Sequence, residues 1–156
     1  MKREKFLWPI THAHHFGLMA AKTIQRKLEE GPTKLQLQEL RKKAERFFKS
    51  DLAAHIGVEE RILDQFAFHR GPRDPLLKRA RAEHKALGKL LKKGDIGSLR
   101  KFSEKLIDHV YFEEDELFKE IEEEFTQEEK EWVETDIQFN IHHWPRIPAF
   151  AGDRKG

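Results

Sequence analysis

The stretch FSEKLIDHVYFEEDELFKEI, residues 102–121, decides the fold. Its apolar residues Phe102, Leu106, Leu117 and Ile121 recur at helical spacing, and His109 and Glu113 stand in the same phase between them. Residues four apart on a helix share a face, so this imidazole and carboxylate point the same way, on the side the stripe marks as interior. The arrangement occurs twice. His55-Ile56-Gly57-Val58-Glu59-Glu60 is matched by His109-Val110-Tyr111-Phe112-Glu113-Glu114, and His55 and Glu59 also replace apolar residues between Leu52 and Ile62.

Working outward, the chain punctuates as helices. Pro9 suits the first helical position, and that helix runs to about Glu29, before Gly31-Pro32. Thr33 with Gln36 reads as a capping box opening a long helix to about Phe68, and Gly71-Pro72 breaks it. Asp74-Pro75 restarts the chain for a third helix to about Lys93, with Gly94 as its stop. Asp95 or Ser98 starts a fourth, to about Glu124, and Thr126 with Glu129 caps a short fifth, to about Phe139. The residues from Asn140, with Pro145 and Pro148, read as an irregular tail. Strand signals are nearly absent. Long helices joined by short turns imply antiparallel neighbours, hence an all-α, up-down-up-down four-helix bundle with an added C-terminal helix. A single domain is expected over 1–156, with the bundle at about 8–124 and the C-terminal helix and tail at 126–156.

Composition excludes several chemistries. The chain has no cysteine, so thiolate ligands, disulfides and thiol catalysis are out. A net charge of +2 argues against nucleic-acid binding, and no apolar run approaches a membrane span. No signal-peptide core follows the charged start, and a cytoplasmic location is expected. The basic residues Arg41, Lys42, Lys43, Arg46, Lys78, Arg79, Arg81 and Lys85 oppose an acidic run over Glu113–Glu124. Solvated faces attracting each other across the bundle are the simpler account, and a docking face for an acidic partner is the alternative.

The third helix carries an interior stripe of Leu77, Ala80, His84, Leu87 and Leu91, again with a histidine in its middle. The first is less regular: Trp8, Thr11, His15, Leu18 and Ala21 fit, and Lys22 spoils the next position. On this reading the inner faces carry His15, His55, His84 and His109, and Glu59 and Glu113 beside them. Buried carboxylates need partners, and no Lys or Arg lies on these stripes, so cations are expected. Imidazole with carboxylate suits iron, manganese or zinc. Six such ligands exceed one ordinary zinc site and suit a pair of metals bridged by carboxylates, with positions open for a small ligand. Glu60 and Glu114, turned about 100° from their neighbours, are placed to accept from a ligand imidazole or to face solvent.

The pattern resembles the hemerythrin-like family, whose domains hold a non-haem di-iron centre in a four-helix bundle. The matching elements are His14-His15, His55-x-x-x-Glu59-Glu60, Glu83-His84 and His109-x-x-x-Glu113-Glu114, in family order over about residues 8–124. The resemblance implies two iron ions, oxo- or hydroxo-bridged, with His15, His55, His84 and His109 as terminal ligands and Glu59 and Glu113 as bridges. It also implies a small ligand such as O2, NO or peroxide. The oxygen-carrying members have a second histidine one turn from the third-helix ligand; here those positions are Ala80 and Gly88. They also end in His-x-x-x-x-Asp, where this chain has a Glu four residues on and Glu114 in the fifth place. One iron then lacks a terminal ligand, with His12 as the nearest substitute, and His12 or His14 can supplement or replace His15. An open site suits sensing, oxidative chemistry or iron handling better than oxygen carriage.

Ferritin-like bundles use Glu-x-x-His, an order absent at both cassettes. Three further readings stay open: a metal-stabilised regulatory module without turnover, a di-metal oxidoreductase or hydrolase, and an ordinary bundle with polar core networks. Outside the stripes, His69 is expected to cap a helix C-terminus, and His142-His143-Trp144 to serve packing or the surface.

Overall fold

The computed structural model describes residues 2–140. These are helical almost throughout, and no strand occurs among the described residues. A short 3-10 turn, Lys5–Leu7, leads into α1, Trp8–Glu29. Next come α2, Lys34–Phe47, and α3, Ala53–Arg70, joined end to end by a π-helical turn, Phe48–Leu52. α4 spans Pro75–Lys93. α5, Ile96–Phe112, continues through a second π-turn, Glu113–Leu117, into α6, Phe118–Glu124. α7 spans Gln127–Asn140. The expected tail, with His142-His143-Trp144, lies outside the described residues.

The ends are set by the expected chemistry. Thr33 and Gln36 form a reciprocal capping box. The Asp74 carboxylate accepts from the amides of Leu76 and Leu77 with Pro75 behind it, and Gly94 ends α4 in the left-handed region at φ 65°. Asp95, rather than Ser98, caps α5 by accepting from the Ser98 amide. Thr126 and Glu129 repeat the capping box ahead of α7.

α1 and α4 both pack along α5, and α3 packs on α4 and α7. Val133 and Ile137 of α7 close the core at the end held by the 3-10 turn, tied by Lys130 to Glu4 at 2.8 Å and Arg61 to Asp136 at 3.0 Å. The apolar interior divides in two. One cluster includes Phe6, Ile10, Val58, Ala80, Phe112 and Phe118; the other includes Ala21, Leu52, Leu87, Phe102, Leu106 and Val110. Each of α1, α3, α4 and α5 crosses from one cluster to the other at a histidine: His14 between Ile10 and Ala21, His55 between Leu52 and Val58, His84 between Ala80 and Leu87, His109 between Leu106 and Phe112. A polar layer thus separates two greasy ones, and no helix is long and apolar enough to cross a membrane among the described residues.

Candidate metal centre

The polar layer contains His14, His55, His84, His109, Glu59 and Glu113, and none is more than 6% exposed. Their ligand atoms form two groups, His14–His55–Glu59–Glu113 and His84–His109–Glu59–Glu113, each with its atoms within 4.8 Å of one another. The two glutamates belong to both groups. His55, Glu59, His84, His109 and Glu113, all expected on inner faces, are therefore brought together.

His15 is not. It is exposed, edge-on to Phe16, while His14 takes the place expected of it. The reason lies in the face of α1. Ile10, His14, Gly17, Ala21, Ile24 and Leu28 are buried at clean helical spacing, whereas Trp8, from which the other face was counted, is 50% exposed. The stripe without a lysine in it was the correct signal. His12 is also exposed, edge-on to Phe16, and does not reach the centre.

Every outer imidazole contact shown is to a carboxylate. His14 Nδ1 lies 2.6 Å from Glu114 Oε2, His84 Nδ1 2.6 Å from Glu60 Oε2, and His109 Nδ1 2.7 Å from Glu83 Oε1. Each cassette thus supplies a histidine, a central carboxylate and a brace for a histidine on another helix. Glu83 was named from sequence only as the neighbour of His84 and given no role of its own, because it sits just off the α4 stripe. Each brace has its own arginine: Arg3 Nε at 3.4 Å from Glu114, Arg81 Nε at 3.6 Å from Glu60, Arg79 Nε at 2.9 Å from Glu83. Thr11 also donates to Glu114 at 3.0 Å. The basic and acidic faces are therefore used, in part, to orient this site. His69 stands in the last turn of α3, at the helix end where it was expected, and its ring also pairs with Glu129 of α7 at 2.8 Å and stacks on Phe125.

The electrostatics follow from that ring. The braces Glu60, Glu83 and Glu114 are offset by Arg81, Arg79 and Arg3, leaving Glu59 and Glu113 to be balanced from within. Burial opposes ionisation of both. At Glu59 it is outweighed by His55, His14 and His84, which hold the carboxyl well below its usual range. At Glu113, burial and the Glu59 charge are outweighed by His109 and His14, which hold it at about 2. Burial likewise opposes charge on the histidines and likewise loses. Glu113, Glu59 and Glu60 push His84 up to about 12, Glu113 and Glu83 push His109 up to about 9, and Glu113, Glu114 and Glu59 raise His14 strongly. Without another cation, protons must carry the balancing charge.

A metal fits better. Where Nδ1 donates to a brace, a neutral imidazole presents a bare lone pair at Nε2. Glu59 Oε1, both oxygens of Glu113, and Nε2 of His84 and His109 are buried without a hydrogen-bond partner among the described residues. Their separations, such as His84 Nε2 to Glu59 Oε1 at 3.3 Å and His109 Nε2 to Glu113 Oε2 at 3.2 Å, are close but not aligned as hydrogen bonds. Native interiors rarely leave so many polar atoms bare, and convergent imidazole nitrogens and carboxylate oxygens are the donor set of iron, manganese or zinc.

Both π-turns adjoin the centre. The second begins on Glu113, and its extra residue turns the following chain so that Phe118 and Glu122 join Leu117 and Ile121 in the interior. The first ends just before α3 and carries Asp51, whose carboxyl burial pushes up, only partly offset by the Ser50 hydroxyl. π-turns leave no mark in hydrophobic period, so neither was foreseen. No family model, curated protein or solved structure matches the chain.

Proposed function

We propose that the chain is a hemerythrin-like di-iron protein: an up-down-up-down four-helix bundle with a C-terminal helix, binding two iron ions in its central polar layer. Glu59 and Glu113, which belong to both groups of donors, would hold both metals. His14 and His55 serve one, His84 and His109 the other, and Glu114, Glu60 and Glu83 hold three of the imidazoles in the tautomer that coordinates. Carboxylate-bridged iron supplies reversible binding or reduction of small oxygen and nitrogen species such as O2, NO or peroxide. This chain's own part is to keep the layer dry between two apolar clusters and to leave positions free, since each group in the structure offers two imidazoles and two shared carboxylates.

The observation that carries this reading is that the partnerless buried atoms of Glu59, Glu113, His84 and His109 lie in one donor group whose ligand atoms are within 4.8 Å of one another. Elemental analysis and the ultraviolet–visible spectrum of iron-loaded protein test it. About two irons per chain with near-ultraviolet bands of an oxo- or hydroxo-bridged pair are expected. Substoichiometric iron with a featureless spectrum would sink it.

The layered core favours a second reading, a metal-stabilised module without turnover. All four crossing helices meet at the centre, so metal affinity becomes folding free energy. A large thermal shift on chelation, without consumption of oxygen or peroxide, would select it.

A further inference from the structure

Beside the His14–His55 half of the centre lies a cavity of about 40 Å³. Its walls are mostly apolar, including Phe16, Phe47, Leu52, Leu106 and Val110, and the central residues His14, His55, Glu59 and His109 border it on one side. One polar residue of the wall lies outside the central layer. Asp51, in the π-turn Phe48–Leu52, also lines the cavity, and its Oδ2 is shut off from solvent with no hydrogen-bond partner among the described residues. A carboxyl oxygen left bare against phenylalanine and leucine calls for an explanation. An apolar side chain at position 51 would close the wall without that penalty. π-turns, too, occur disproportionately at functional sites.

We propose that this cavity is the ligand chamber of the His14–His55 metal position and that Asp51 is its polar anchor, selecting a small neutral molecule that carries O–H, hydrogen peroxide foremost. The inference rests on the di-iron reading for what the ligand meets, but not for the anchoring itself. Room for roughly three water-sized atoms fits peroxide. An anion would lose its hydration against apolar walls and meet a carboxyl group. O2 enters such a chamber freely but has no O–H to give Oδ2. Hydrogen peroxide can donate one O–H to Oδ2 and turn its other oxygen toward the histidines.

The test uses the full iron-loaded chain, wild type beside Asp51→Leu and Asp51→Asn, with iron content measured first. Mixing with hydrogen peroxide is followed by the change in visible absorption, and azide affinity is titrated separately. Asp51→Leu is expected to slow the peroxide-dependent change about tenfold and to bind azide several-fold more tightly, the scale of one lost hydrogen bond to a charged group. Asp51→Asn, which keeps a polar tip without the charge, should slow less and also bind azide more tightly. Both variants should retain iron and unfold at or above the wild-type temperature. Wild-type peroxide rates in Asp51→Leu would overturn the proposal. If wild-type protein holds no iron, the di-iron reading fails by itself, and a high-resolution crystal structure of the metal-free chain decides the anchor. An ordered water on Asp51 Oδ2 within the cavity supports it; a dry cavity with the carboxyl turned to solvent overturns it.

Discussion

His14 Nε2 and His55 Nε2 face each other at 3.0 Å, from helices α1 and α3. Glu59 Oε2 lies 3.2 Å from the first and 2.8 Å from the second. Because His14 Nδ1 is engaged by Glu114, its Nε2 is a lone pair unless the ring is cationic. Two imidazole nitrogens and a carboxylate oxygen at such distances repel unless something positive lies between them. A shared proton can do this for one pair of atoms; a metal ion does it for all of them.

Exchange of the two neighbouring α1 histidines follows directly. His14→Ala should lower bound iron from about two to about one per chain, since it empties one group of donors and leaves the other intact. His15→Ala should bind as wild type, because that ring is exposed. Iron quantified after gel filtration separates the outcomes; equal losses in both variants would refute the assignment of His14.

The braces should tune affinity without contacting metal. Glu83 links His109 to Arg79, and those partners hold its carboxyl below the usual range against its burial. Glu83→Ala frees the imidazole to rotate and lowers its basicity, and a loss of about 10–100-fold in metal affinity is expected. Chelator competition measures it. Glu83→Gln, which can still accept from Nδ1, should lose less.

The pH dependence has a definite sign. His109 rises from 6.5 to about 9 and His84 to about 12 in the metal-free fold, so both carry protons at neutral pH that a metal must displace. Metal affinity should therefore rise with pH, roughly tenfold per unit for each proton displaced. Stability of the metal-free chain runs the other way. A raised histidine stabilises fully below its unfolded value of 6.5, and for His109 that contribution is lost as pH climbs through about 9. The gap in Tm between loaded and chelated protein should widen from pH 6.5 to 9. Calorimetry across that range checks it, and a constant gap would contradict the protonated metal-free state.

Much of this was legible in the sequence, and the exceptions have physical causes. His84 and His109 stand in apolar stripes with no competing histidine one residue away, so period alone placed them. Three histidines crowd α1 at positions 12, 14 and 15, and counting from Trp8 misplaced the inner face. Trp8 looks like an anchor for that face but is half exposed, its indole donating to the Arg3 carbonyl. Glu83 and Arg3 act through partners 26 and 111 residues away, which no local pattern encodes. The π-turns depend on one residue of slack in otherwise regular helices, and Asp51 gained significance only when its cavity was visible.

The seal at the α7 end offers a test independent of metal. The Glu129 carboxylate accepts from the Thr126 backbone amide, from His69 and from Gln65, and these outweigh burial to hold it at about 2. A depressed carboxyl stabilises the fold above its unfolded value of 4.5, and that contribution is lost as pH falls toward about 2. Glu129→Gln should therefore remove part of the steepness of acid unfolding between pH 4.5 and 2 and lower stability at neutral pH. It should leave metal binding unchanged, because Glu129 touches none of the central ligands or their braces. Circular dichroism at 222 nm through an acid titration of chelated protein reads the first effect, helical signal being the bulk of the far-ultraviolet spectrum. An unchanged acid limb would show that α7 separates from α3 before the rest unfolds. Glu129 would then report on that local opening rather than on the whole fold.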